Sequence, residues 1–539
     1  MNPRTTLLAF AFAAICTAQS GGLSGENIRT HVKFLSSDLL EGRGVGARGG
    51  AVATEYIASQ FAVAGAKPAG DNGTYFQKVP LVGVRTDTGA ELAAVAGDKT
   101  LSFRWSDDFV ATSHLQKPDS RFNAAAVFVG HGIVASEYNW NDYKDADVRG
   151  KIVVLFTNEP SSDDPQFFAG RALTYYGRWT YKYEQALRQG ALGCIIIHTT
   201  PTAGYGWEVV RNSWGREQPF VKRAPGEPAL ALAGWITQDA GDKLLAMAGH
   251  NVADLLKASE SRDFRPIPLG IRIRGVLPSA IRELDTRNVA AVVPGSDPLL
   301  KSEAVIFTAH WDHLGIGAPV NGDAIYNGAV DNATGCGILL ELARVWAALP
   351  EKPRRSALFL SVTAEEGGLR GSEFYGAHPI FPAGKTAVDL NYDALLPYGR
   401  TRDVIVAGAE RTTLWPVVQH IARRMNLSIQ PDPRPEQGSY YRSDHFSLAR
   451  VGIPAFSISE GTSFLGKPAD YGRRIFEEYN SKHYHQPSDE YREDWDFSGL
   501  EQMARFGFLI GLEAANQDRL PTWNPGDEFL AAREKSGVR

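Results

Sequence analysis

Two histidines and several carboxylates in the second half of this chain each end or follow an apolar, strand-like run. They are His310 in VIFTAHWD, Asp331 in NGAVDNATG, Glu365 and Glu366 in ALFLSVTAEEGG, Asp393 in TAVDLNYD and His485 in KHYHQPSDEY. Imidazole nitrogens and carboxylate oxygens are ligands that Zn²⁺ accepts, and a pair of such ions that also holds a water needs a set of this kind. The set reads as the centre of a hydrolase.

The spacing within it assigns roles. Side chains two apart in an extended segment share a face, so the Asp312 carboxylate is expected to accept the second N–H of the His310 imidazole. That fixes the tautomer that binds metal. A surface His-x-Asp pair would be unremarked in isolation, but an apolar strand leads into this one. Two adjacent glutamates closing a hydrophobic strand are costly to bury without partners. Coordination by Glu366 removes that cost, and Glu365, left unligated, can take a proton from a bound water as general base. Two nearby cations would keep Glu365 ionised near neutral pH.

The elements that must bring these residues together follow from periodicity. From 286 onward, the strand candidates NVAAVVPG, EAVIFTAH, SALFLSV, TAVDLNY, DVIVAG and IPAFSIS alternate with helical stretches such as GCGILLELARVWAAL, LWPVVQHIARRM and GLEQMARFGFLIGLEAA. Continuous apolar strands alternating with helices predict an α/β fold whose mostly parallel sheet is covered on both faces. Ligands of such sheets gather outside the carboxyl ends of the strands, where His310, Glu365, Glu366 and Asp393 fall. Residues 25–65 predict two helices joined by GRGVGARGG, which reads as a turn between surface helices because it lacks the Lys-Ser/Thr ending of a phosphate cradle. Between 122 and 265 the runs AAAVFVGHGIV, GKIVVLF and ALGCIIIH predict a β-rich module, to which no chemistry is assigned. Its lone His131 and His198 read as structural.

NGAVDNATG after AHWDHLG, then TAEEGGLRGSEFY, YRSDHFSLARVGIPAFSI and HQPSDEY, resembles the co-catalytic zinc aminopeptidases of the M28 family. The resemblance covers 25–120 and 266–515, and residues 122–265 resemble the protease-associated (PA) domain inserted in many such peptidases. It implies two Zn²⁺ per chain bridged by Asp331, with His310 and Asp393 completing one site and Glu366 and His485 the other. It further implies Glu365 as catalytic base and Tyr440 as an oxyanion stabiliser. His483 competes with His485, and the Pro487-Ser488-Asp489 context favours the latter. Asp444 and His445 look like a structural pair. The domain plan is a signal peptide (1–18), an N-terminal part of the peptidase (19–121), the PA insert (122–265), the catalytic domain (266–520) and a loose C-terminal tail (521–539). The activity implied is that of an exported dizinc metallo-aminopeptidase. Carboxypeptidase or dipeptidase action, a glutaminyl cyclase with its single zinc, and a non-catalytic receptor-like relative stay open, although a complete ligand set argues against the last.

With 539 residues the chain exceeds one ordinary core, and its composition of 43% hydrophobic and 22% charged residues with 54 Gly and 30 Pro suits a globular protein rich in turns. A formal net charge of -5 gives no reason to expect nucleic acid or an anionic membrane as partner; peptides are the expected partners, and nothing sets an oligomeric state. Arg4, the apolar run Leu7 to Ile15 and the small residues up to Ala18 predict an export signal too short to span a bilayer. Ile15 fits poorly before a lipoprotein Cys16, so a periplasmic or secreted protein without stable membrane insertion is expected. Cys194 and Cys336, in apolar Gly-flanked contexts, predict buried free thiols.

Overall fold

The computed structural model describes residues 22–538, so the expected export signal and Cys16 lie outside the described residues. The chain divides into two compact units: one of the residues up to Val79 with Asp285–Pro433 and Arg442 onward, the other of Pro80–Leu284 with Arg434–Tyr441.

The first unit is built on a sheet in the order 455–457, 386–391, 304–310, 356–362, 289–293, 67–68. The first four strands are mutually parallel, 289–293 is antiparallel to 356–362, and 67–68 is antiparallel to 289–293 in turn. Ala304–His310, Ser356–Val362 and Thr386–Asn391 are buried along their whole lengths, as strands covered on both faces must be. Register aligns the chemistry. His310 pairs with Val362 and Thr308 with Asn391, so two residues further on Asp393 comes level with His310. Gly335–Ala347 is largely apolar and buried, Ser498–Asn516 buries one apolar face, and they pack with Gly25–Leu35 and Arg48–Val63 around one core. The mixed, mostly parallel α/β architecture is the one the alternation predicts. DVIVAG departs from it: Asp403–Ile405 pairs with 428–430 and 459–460 in a separate three-stranded sheet.

Two expectations for this unit are corrected. GRGVGARGG is not a surface turn, because Gly42, Arg43 and Gly44 are buried. Gly42 has φ +65°, and a Cβ there would lie 2.3 Å from the Tyr326 carbonyl oxygen, so only glycine lets the loop press against the segment before Asp331. Nor is the C-terminal segment loose. Trp523 and Arg533 are buried, and the Arg533 guanidinium donates to the carbonyls of Pro521, Ala383 and Thr386. Polar composition suggested a tail, but one arginine satisfied by carbonyls anchors it.

The second unit carries a sheet in the order 99–103, 91–96, 267–278, 119–128, 152–156, 193–197, 232–236, 109–112. Its three central pairings, from 119–128 to 232–236, are parallel, and Trp179–Arg188 packs on 193–197. The unit extends beyond 122–265 because 91–96, 99–103 and 267–278 pair into the same sheet. His131 sits 3.3 Å from the Thr157 carbonyl and 3.1 Å from Glu260, and His198 Nε2 lies 3.0 Å from the Tyr205 carbonyl. Among the described residues, neither belongs to a metal-ligand group. Cys194 and Cys336 are free and buried, and among the described residues no helix is long and apolar enough to cross a membrane.

Candidate metal centre

Three adjacent parallel strands deliver His310, the Glu365–Glu366 pair and Asp393 to one edge of the sheet, at the carboxyl ends where side chains from neighbouring strands converge. Asp331 arrives on the turn Ala329–Thr334 that leads into the buried helix Gly335–Ala347. His485 follows helix Tyr471–Lys482, and its ring stacks on Tyr484 with centroids 3.9 Å apart.

The ligand atoms meet as two sets. His310 Nε2 lies 3.2 Å from Asp331 Oδ1 and 3.1 Å from Asp393 Oδ1. His485 Nε2 lies 3.3 Å from Asp331 Oδ2 and 2.9 Å from Glu366 Oε2. One carboxylate thus turns an oxygen to each histidine. Two atoms each about 2.0–2.1 Å from a tetrahedral zinc stand roughly 3.3 Å apart, so both sets have the spacing of co-ligands, and the donors present fit two Zn²⁺. Glu365 Oε2 stands further off, 3.9 Å from His310 Nε2. It lies beside the two sets, outside the 2.9–3.3 Å spacing within them. His483 contacts Ser488 instead, its Nδ1 lying 3.0 Å from Ser488 Oγ.

Asp312 acts differently from expectation. The proton on His310 Nδ1 is directed at the Asp312 backbone carbonyl, 3.1 Å away, and not at its carboxylate. The carboxylate instead accepts the Glu365 N–H through Oδ1 at 3.1 Å, tying the Glu365 backbone to the segment after the His310 strand. Tyr440, buried against Tyr441, lies in the 434–441 segment grouped with the second unit.

Three contributors escaped the sequence reading. Asp489 is buried and accepts the N–H groups of Val330 and Asp331 at 3.0 and 3.1 Å, and the Tyr479 hydroxyl at 3.2 Å, which fixes the backbone beneath the shared carboxylate. Its place in HQPSDEY was the available signal. Ser443 Oγ donates to Asp393 Oδ2 at 2.5 Å and accepts from Asn391 at 2.7 Å. His313, one residue past the His-x-Asp pair, is buried with Nδ1 2.6 Å from Glu366 Oε1. With Asp331 and Glu366 it forms a second possible ligand group, but 2.6 Å is the spacing of a pair in contact and shorter than that of two ligands on one zinc. Gly328 makes room for this ring: at φ +58°, a Cβ would come within 2.5 Å of His313 Cγ.

So many buried acids distort one another. Burial and the neighbouring Asp393 and Glu366 hold the Glu365 carboxyl well above its ordinary range, with His310 opposing. Burial likewise pushes Asp312 up to about 7. Burial disfavours a charged His310, yet Asp393 and Glu365 outweigh it and raise its pKa well above the usual histidine value. Burial also opposes ionisation of Asp331, but hydrogen bonds from His310 and His485 hold it well below the usual range. This excess of carboxylates is the charge pattern that cations relieve.

Five side chains that could ligate metal are gathered here in two sets, with Glu365 beside them. Residues 288–506 match the model of Peptidase family M28. The matched segment is the one that carries His310, Asp331, Glu365, Glu366, Asp393 and His485, and it is similar to that family. A protein described as Probable glutamate carboxypeptidase AMP1, from Arabidopsis thaliana, is 26% identical over 333 residues, covering 56% of this chain and 43% of that protein. The chain therefore spans less than half the length of this curated relative. Among solved structures, the aminopeptidase from Aneurinibacillus sp. strain AM-1 aligns with a TM-score of 0.53 at 21% identity, over 94% of this chain and 98% of its own. BSAP, a zinc aminopeptidase from Bacillus subtilis, gives a TM-score of 0.43 at 17% identity over 92% and 96%. At 21% identity, the former likeness establishes the fold alone.

Proposed function

We propose that this protein is an exported two-zinc aminopeptidase that removes N-terminal residues from peptides. The observation that carries the proposal is the pair of ligand sets sharing Asp331, with Glu365 3.9 Å from His310 Nε2 and outside both sets. His310, Asp331 and Asp393 would hold one zinc, and Asp331, Glu366 and His485 the other. Bound there, two zinc ions supply Lewis acidity and lower the pKa of a water towards ~7. Glu365 accepts that water's proton and returns it to the departing amine. The Asp312 carbonyl fixes the His310 tautomer, while its carboxylate orients Glu365 through the backbone. Tyr440 is assigned to the developing oxyanion, residues 122–265 to a PA domain, and 1–18 to the export signal.

One observation favours a second reading, carboxypeptidase action: Arg442 Nε is buried without a hydrogen-bond partner, one residue before Ser443. A guanidinium is the group that would take a substrate's free carboxylate. A panel of aminoacyl-p-nitroanilides, N-blocked peptides and C-amidated peptides, assayed with and without a chelator, separates the two. Aminopeptidase action requires cleavage of free-amine substrates, loss on N-blocking and loss on chelation. Cleavage that persists on N-blocked peptides and disappears on C-amidation would replace it with the second reading.

A further inference from the structure

The buried loop GRGVGARGG contains an arginine with an unusual set of partners. Arg43 is 1% exposed. Its Nε donates to the Trp311 carbonyl at 2.8 Å, Nη1 to those of Leu35 and Asn327 at 2.5 and 2.7 Å, and Nη2 to that of Gly328 at 2.8 Å. The Arg43 carbonyl in turn accepts the His313 N–H at 3.4 Å. Trp311 stands between His310 and Asp312, and Asn327 and Gly328 lie just ahead of Asp331. Asp489, Asp331 and Asp312 are all near enough to act on its charge.

Burying a guanidinium away from water is costly, and a space-filling role would be met by an aliphatic side chain. What the fork adds is direction: three of its four bonds end on the two backbone segments that carry His310 and Asp331. The glycines serve the same approach. A Cβ at Gly50 would lie 2.8 Å from the Trp311 ring, as one at Gly42 would meet the Tyr326 carbonyl.

We propose that Arg43 is a positioning residue of the metal centre: it ties the backbone between His310 and Asp312 to the backbone entering Asp331, and so sets the separation of the imidazole and the shared carboxylate. This rests on the two-zinc reading above. The strand end and the turn before helix Gly335–Ala347 belong to different elements, and Arg43 joins them through donors in one rigid plane. Lysine, with a single point of donation, cannot reproduce it.

The test compares Arg43→Lys and Arg43→Met with Arg533→Met. Arg533 is a second buried arginine of the same unit held by carbonyls, but none of its partners adjoins a ligand, so it controls for loss of a buried guanidinium. Zinc affinity is measured by competition with a chromogenic chelator, and ligand geometry by the visible absorption of the Co²⁺-substituted protein. Both Arg43 variants are expected to bind zinc at least tenfold more weakly, to alter the Co²⁺ spectrum, and to lower kcat more than they raise KM. Arg533→Met is expected to lower the thermal midpoint while affinity and spectrum stay within twofold of wild type. Wild-type affinity and spectrum in the Arg43 variants, or equal losses in Arg533→Met, would overturn the proposal. Arg43 variants that fail to fold beside a folded Arg533→Met would reduce the role to folding and overturn it too. A wild-type protein that binds no zinc would instead refute the two-zinc reading, and the proposal with it.

Discussion

Replacing Glu365 by glutamine removes a proton acceptor while keeping the shape of the side chain. Its Oε2 stands 3.9 Å from His310 Nε2, beyond the 2.9–3.3 Å that separates His485 Nε2 from its co-ligand atoms, so the amide leaves the ligand sets in place. The Glu365 N–H keeps its bond to Asp312, and the backbone stays where it was. Loss of a general base costs about 10²–10⁴ in rate, or about 3–5 kcal/mol of barrier at ~1.4 kcal/mol per tenfold. Glu365→Gln should therefore retain two zinc ions and a KM within a few-fold of wild type while kcat falls by at least about a hundredfold. The assay pairs steady-state kinetics on an aminoacyl-p-nitroanilide with metal analysis of the same sample. A kcat within threefold of wild type at full zinc content would refute the assignment of the base. Zinc lost together with activity would refute the claim that Glu365 stands outside the ligand sets.

Asp489→Asn can accept fewer of the Val330, Asp331 and Tyr479 donors, so a destabilisation of about 1–3 kcal/mol and weaker zinc retention against a chelator are expected; unchanged urea midpoint and zinc retention would contradict this. Ser443→Ala removes the hydroxyl bonded to Asp393, and zinc titration should show one of two binding steps weakened more than the other; two unchanged steps would count against it. Glu460 supplies a pH test away from the ligands: burial raises its carboxyl from 4.5 to about 7. The folded state then holds this proton more tightly than the unfolded one, so its contribution to stability falls as pH rises from about 4.5 to about 7. Glu460→Gln should flatten that part of the profile and be the more stable protein at pH 8 by up to about 3 kcal/mol; parallel profiles from urea denaturation at several pH values would contradict the assignment.

The placement of the strand-borne candidate residues was legible because each ends an apolar run, and a buried parallel strand is read directly from composition. Asp331 and His485 were legible only through motif context, since neither a turn nor a post-helix loop has a period. Supporting contacts were hidden for a related reason. Asp489, His313 and Arg43 act through partners far away in sequence, and nothing local distinguishes a glycine-rich loop on the surface from one pressed against a ligand turn. Asp312 was placed correctly beside His310, yet its backbone carbonyl takes the contact with the ring that was expected of its carboxylate, and the carboxylate accepts from the Glu365 N–H. The C-terminal segment looked loose because its polar residues were weighed as solvated, whereas Arg533 is satisfied by three backbone carbonyls.

Metal analysis of the purified protein, combined with a crystal structure whose anomalous signal is collected at the zinc edge, tests the central claim most directly. The account predicts two zinc ions per chain, roughly 3.5 Å apart, with Asp331 giving one oxygen to each, His310 and Asp393 on one, and Glu366 and His485 on the other. A single zinc, or two bound away from Asp331, would contradict it.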